Sequence, residues 1–250
     1  MIKFWNGNKS HIRQKHELFV TQKILETVFP NNELIENKSN YSTKSSEGQI
    51  FKFGFDITTT ISGNTKFIPN SFLEIPISLC GDSLGFRNLL VNKNNASTFH
   101  FIEENKLQHL RAGLPSCWLD KEIFKFNGYN VKECASIEHG VALLKAREID
   151  YIPLGKAEIP ELLSKNSFKI NDLYIVESTA IYYDLPVVYY ISPERYDIYT
   201  TFKKECENLK NNNMLCEYKN IFYTDVKCNE KIISLVNPFL RYDPETFTLG

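Results

Sequence analysis

The chain carries six arginines against 23 lysines, so each arginine chooses a planar five-donor fork over a point charge. Arg87 heads an apolar run in "SLGFRNLLVNKN" (83–94). On its own it reads either as the solvated end of a strand or as a functional group. Upstream of it, Gly81-Asp82-Ser83-Leu84 offers a serine, but serine nucleophiles need a histidine oriented by a carboxylate. The last histidine is His139 and the block lies a third of the way along, so this is a chance match. Glu103-Glu104 and the run Glu158 to Glu161 fall at helical or helix-adjacent positions, as solvated faces do, and nominate no acid–base pair. Cys80, Cys117, Cys134, Cys206, Cys216 and Cys228 include no C-x-x-C pair, and the histidines show no H-E-x-x-H. Metal-ligand spacing is therefore missing. Glycine-rich nucleotide loops and G-x-S-x-G are missing too. No catalytic group, metal or cofactor is expected.

The bulk numbers agree with a soluble globular protein of one large domain or two small ones. At 250 residues, 42% apolar and 24% charged, the chain can bury a sizeable core. A net charge of −1 with lysines and acids interspersed gives no basic stripe for nucleic acid. No apolar stretch reaches the length of a membrane span, and "MIKFWNGNK" has no signal-peptide core. Localisation is then cytosolic, or periplasmic if a signal peptide has been removed.

Those residues must be positioned by elements that the periodicity outlines. "IKFW" reads as a strand and 16–29 as a helix stopped at Pro30. The stretch 37–48 reads as a polar loop, and "QIFKFGFDITTTIS" as a strand. "FLEIPI" and "FRNLLVNK" are further strands. From residue 100 short strands and helices alternate: "HLRAGL", the helix "LDKEIFKFNG" closed by Gly128, "YNVKECA", the helix "IEHGVALLKARE", "IDYIPL", a helix at 156–164, and "LYIVES". The strand "LPVVYYIS" then leads into a long helix with Ile198, Phe202, Cys206 and Leu209 at helical spacing. This order predicts an α/β fold with mostly parallel sheets flanked by helices.

Within this frame stand Ala112-Gly113, Trp118-x-Asp120-x-x-Ile123, Gly128-x-x-Val131, and Arg147-x-x-Asp150-Tyr151 through Pro153, Gly155 and Glu158. This pattern resembles the second lobe of type II periplasmic solute-binding proteins of the amino-acid-binding-like family, over roughly 45–222. The resemblance implies two lobes joined by crossing strands, with the ligand cleft between them. Lobe one would comprise 1–91 and 187–250, and lobe two 92–186. It implies a bacterial, periplasmic, monomeric component of a transporter that binds a small, carboxylate-bearing solute and works with a membrane permease. The alternative is a ligand-sensing or protein-contacting module of the same fold.

The resemblance also assigns residues. Arg87 falls where an arginine would hold the ligand carboxylate, unless it pairs with a lobe-one acid such as Glu74. The family's ammonium-accepting aspartate matches Gly155, so either the ligand lacks an amino group or Asp120 or Glu158 substitutes from nearby. Trp118, beside Ser116 and Cys117 at a helix start, would stack on the ligand or pack the core of lobe two. Trp5 would be an aromatic platform or a core residue.

Overall fold

Residues 1–41, 43–164, 172–223 and 231–240 are described in a computed structural model. The first strand, β1 (Ile2–Trp5), runs into α1 (His11–Val28), β2 (Leu34–Asn37), the one-turn α2 (Lys44–Glu47) and β3 (Ile57–Ile61). β4 (Leu73–Ile75) and β5 (Phe86–Asn92) precede the short α3 (Ala96–Phe99) and α4 (Glu104–His109). Next come β6 (Ala112–Pro115), α5 (Asp120–Phe126), β7 (Val131–Cys134), α6 (Ile137–Lys145), β8 (Tyr151–Gly155) and α7 (Ile159–Ser164). They are followed by β9 (Leu173–Tyr182), β10 (Val187–Ile191), α8 (Tyr196–Asn211), α9 (Met214–Phe222) and β11 (Lys231–Ser234).

The strands form two sheets, ordered β2-β1-β3-β10-β4 and β11-β9-β5-β8-β6-β7. Five of the nine pairings among the described residues are parallel. The sheets are mixed because β5 and β10 run antiparallel to their neighbours. Residues 86–91 and 231–234, in the spans expected for lobe one, pair in the second sheet.

Packing follows the side-chain patterns. α8 buries Ile198, Phe202, Cys206 and Leu209, the stripe expected from the sequence. Phe202 meets Tyr189 of β10 edge to face at 5.5 Å; burying one such phenylalanine contributes roughly 1.5–3 kcal/mol. α1 starts earlier than expected because its inward stripe, His16, Glu17, Val20, Thr21, Ile24 and Leu25, is half polar and hides its periodicity. The expected strand from Gln49 is shorter: Ile50–Phe53 forms a 3-10 turn ended by Gly54 at φ +84°, and pairing begins at Ile57. The 37–48 loop holds the end of β2 and the helix α2. No helix among the described residues is long and apolar enough to cross a membrane.

Candidate functional site

A cleft of about 550 Å³ opens between the two sheets, lined from both. Trp5, Lys9, Ser10, Arg13 and Thr59 come from the β1–α1 and β3 side, and Trp118, Asp120, Glu158 and Glu161 from the side of the second sheet. Leu84, Arg87 and Leu185 line it from the segments where the chain crosses between the sheets. Five of the seven site residues expected from the sequence line this space; Ser116 and Gly155 do not.

Arg87 is buried, and its guanidinium is held within the chain through Nε and Nη1. Nε donates to Asp120 Oδ1 at 2.8 Å, and Nη1 donates to the carbonyl oxygens of Leu84 and Phe86. The carbon of the guanidinium sits 5.1 Å over the Tyr183 ring, whose hydroxyl donates to the same Asp120 oxygen. Although burial opposes the charge, Asp120 outweighs it and holds Arg87 above its ordinary pKa. Asp120 opens α5, where a negative charge also meets the positive end of the helix. The partner of Arg87 is thus this acid; Glu74 accepts instead from Ser62 Oγ at 2.5 Å.

β5 and β8 pair with Arg87 opposite Gly155. A Cβ at Gly155 would lie 2.7 Å from Glu158 Oε2 and 3.5 Å from Arg87 Nη1. The Glu158 carboxylate therefore occupies the space that a side chain at 155 would take. Its acidic charge is delivered from one turn further along, beside the arginine.

The two tryptophans serve core and cleft together. Trp5 is 1% exposed, packs with Ile50, Phe67 and Tyr190, and donates its Nε1 hydrogen to Ser39 O at 2.9 Å. Gly7 makes that fit possible, since a Cβ there would stand 2.1 Å from Ser39 O. Trp118 is half-buried against both large apolar clusters while one part faces the cleft. Ser116 spends its backbone N–H on Cys134 O at 2.9 Å.

Sequence reasoning missed a charged cluster on the wall of the first sheet. Glu17 is fully buried and receives Lys9 Nζ at 2.8 Å, Arg13 Nε at 2.8 Å and the Thr59 hydroxyl. Burial alone would raise the Glu17 pKa, but the Arg13 and Lys9 charges reverse this and hold it at about 2. Burial brings Lys9 down to about 8 despite Glu17. Part of the signal was present: Arg13 and Glu17 are four apart on one face of α1, whereas Lys9 reaches Glu17 from before the helix. Among the described residues no group of histidine, cysteine and acidic side chains could hold a metal.

No protein-family model matches the chain, and no curated protein does. Solved structures do. The chain is similar to the GluR0 ligand-binding core, solved with L-glutamate, at 15% identity and a TM-score of 0.61, covering 90% of this chain and 99% of that one. It is similar to a Salmonella typhimurium periplasmic binding protein of high arginine specificity at 12% identity and TM-score 0.61, covering 89% and 99%. It is also similar to a histidine kinase sensor domain at 11% identity and TM-score 0.58, covering 89% and 95%. The fold is therefore the two-lobed type II periplasmic-binding-protein fold, as the resemblance implied. At these identities the likeness establishes the fold and leaves the ligand to be argued from the cleft.

Proposed function

We propose that the chain is a non-enzymatic binding protein that closes its two lobes on a small, carboxylate-bearing solute. The carrying observation is the cleft itself, walled by both sheets and furnished with an indole from each, Trp5 and Trp118. Clefts between domains are where small-molecule sites usually form. In this reading Trp118 supplies apolar contact, the buried Trp5 backs the opposite wall, and Glu158 accepts hydrogen bonds from the solute's ammonium or hydroxyl groups. Arg87 and Asp120 present a neutral, buried pair in its lining, and the surplus of cations on the wall of the first sheet draws the carboxylate. The arginine- and glutamate-bound neighbours support a solute of amino-acid size. Serving a transporter, the chain would act as a periplasmic monomer that hands its solute to a permease. The sensor-domain neighbour favours a second reading, a sensor whose closure is read by another domain. A permease encoded beside the gene would favour the first; a signalling domain on the same polypeptide would favour the second.

The test is a thermal-shift panel of amino acids, keto acids, dicarboxylates and short peptides on protein unfolded and refolded to strip bound solute. A solute at 100 times its Kd stabilises the fold by about 2.7 kcal/mol. Stabilisation by acidic solutes is expected; well-folded protein indifferent to the whole panel would reject solute binding.

A further inference from the structure

We propose that Arg13 and Ser10, at the head of α1, form the anion subsite of the cleft and receive the solute's carboxylate in place of Arg87. This rests on the solute-binding reading and adds where the acidic group goes.

Both residues line the cleft, and Ser10 Oγ and Arg13 Nη2 are each enclosed without a hydrogen-bond partner. Enclosed polar groups are ordinarily satisfied, and one that is not calls for an explanation. The guanidinium is oriented by Glu17, which takes Nε at 2.8 Å, so Nη2 is held in place while it stays free. Charge points the same way. Lys9 and Arg13 face the single carboxylate of Glu17, whose oxygens already accept from Lys9, Arg13 and Thr59. Glu158 lies within electrostatic reach of Arg13 but makes no hydrogen bond to its free Nη2.

The backbone adds to this. α1 has no acidic residue in its first turn, and Ser10, its N-cap, makes no capping bond. A cation at the positive end of a helix is unfavourable unless an anion joins it. Two acids approach from the other lobe, and neither satisfies these donors. Glu161 Oε2 accepts from the His11 backbone N–H at 2.8 Å, and Glu158 is folded back onto the space beside Gly155. Arg87, by contrast, has Asp120 as a permanent occupant. That acid already neutralises the Arg87 charge, so a ligand carboxylate gains less there, whereas at Arg13 it completes an unfinished set of bonds.

Selenate is the direct probe, because it is an oxyanion that can be located by anomalous scattering whatever the natural solute is. Crystals soaked in selenate should show selenium within hydrogen-bond distance of Arg13 Nη2 and Ser10 Oγ. The peak should vanish in Arg13→Lys, which keeps the charge beside Glu17 but loses the fork, and weaken in Ser10→Ala, which leaves the buried ion pairs intact. Selenium found only elsewhere, at Arg87 for instance, or not at all, overturns the subsite. The acidic solute that shifts melting most should bind about tenfold more weakly to Arg13→Lys. Unaltered affinity in that variant overturns the subsite and leaves solute binding standing. Selenate at Arg13 with no solute bound from the panel would retain the subsite and reject the solute reading instead.

Discussion

His16 shows how burial alone sets the behaviour of a residue. It is fully buried, both ring nitrogens lack partners, and it packs edge-on against Phe222 at 5.5 Å and Tyr223 at 5.2 Å. Burial lowers its pKa from 6.5 to about 4. Between those values the unfolded chain binds a proton that the folded chain refuses, so stability falls as pH drops through the window, by about 3 kcal/mol in full. Glu17, held at about 2 against an ordinary 4.5, adds stability that is present above 4.5 and lost as pH falls toward 2. The urea midpoint should therefore drop steadily from neutral pH downward. His16→Leu should flatten the upper limb, from 6.5 to 4.5, and spare the lower one. An unchanged upper limb in that variant would mean that His16 finds a proton-accepting partner when folded. The polar stripe that contains both residues is also why the start of α1 was illegible in the sequence: apolar periodicity marks a helix only where its inward face is apolar.

At the scale of elements, the pairing of β5 with β8 places Arg87 against Gly155 and puts the turn bearing Glu158 beside both. The strands themselves were legible, since "FRNLLVNK" and "IDYIPL" are short apolar runs rich in branched residues. The turn at Ile50–Phe53 was not. Its alternation imitates a strand, and only Gly54 in a left-handed conformation breaks it. Gly155→Ala tests the local arrangement. The added methyl meets the flexible end of Glu158 at 2.7 Å rather than backbone, so the carboxylate should swing aside. A melting-temperature loss of only about 2–4 °C is expected, together with clearly weaker binding of any ammonium-bearing solute. A much larger loss would show that Glu158 is wedged in place, and unaltered binding would remove it from the ligand shell.

For the whole molecule, the chain passes between the sheets from β4 to β5, from β9 to β10, and from α9 to β11. The first two crossings were expected from the resemblance. The third was not, because the pairing of β11 with β9 joins residues about fifty positions apart and no local pattern announces it. Lobes tied by a few crossings are suited to hinge closure on a ligand. Beyond these crossings they touch where Glu161 meets the backbone of His11. Small-angle scattering should give a larger radius of gyration for stripped protein than for solute-saturated protein, saturating with the binding isotherm. Saturation by calorimetry at constant radius would mean that the cleft is preformed and rigid.

The alternation of strands and helices and the apolar stripe of α8 were determined by the sequence itself, because they rest on periodicities spanning a few residues, and the two-lobed class was implied by the resemblance that its motifs carry. Only the tertiary structure decided who meets whom. Arg87 finds Asp120 across 33 residues and Tyr183 reaches the same carboxylate across 63. Glu158 fills the place left at Gly155, and Arg13 is left with a free donor in the cleft. Such pairings depend on which surfaces the packed sheets bring together and on which buried charges must then be neutralised. Both are properties of the assembled core and of no single stretch of chain.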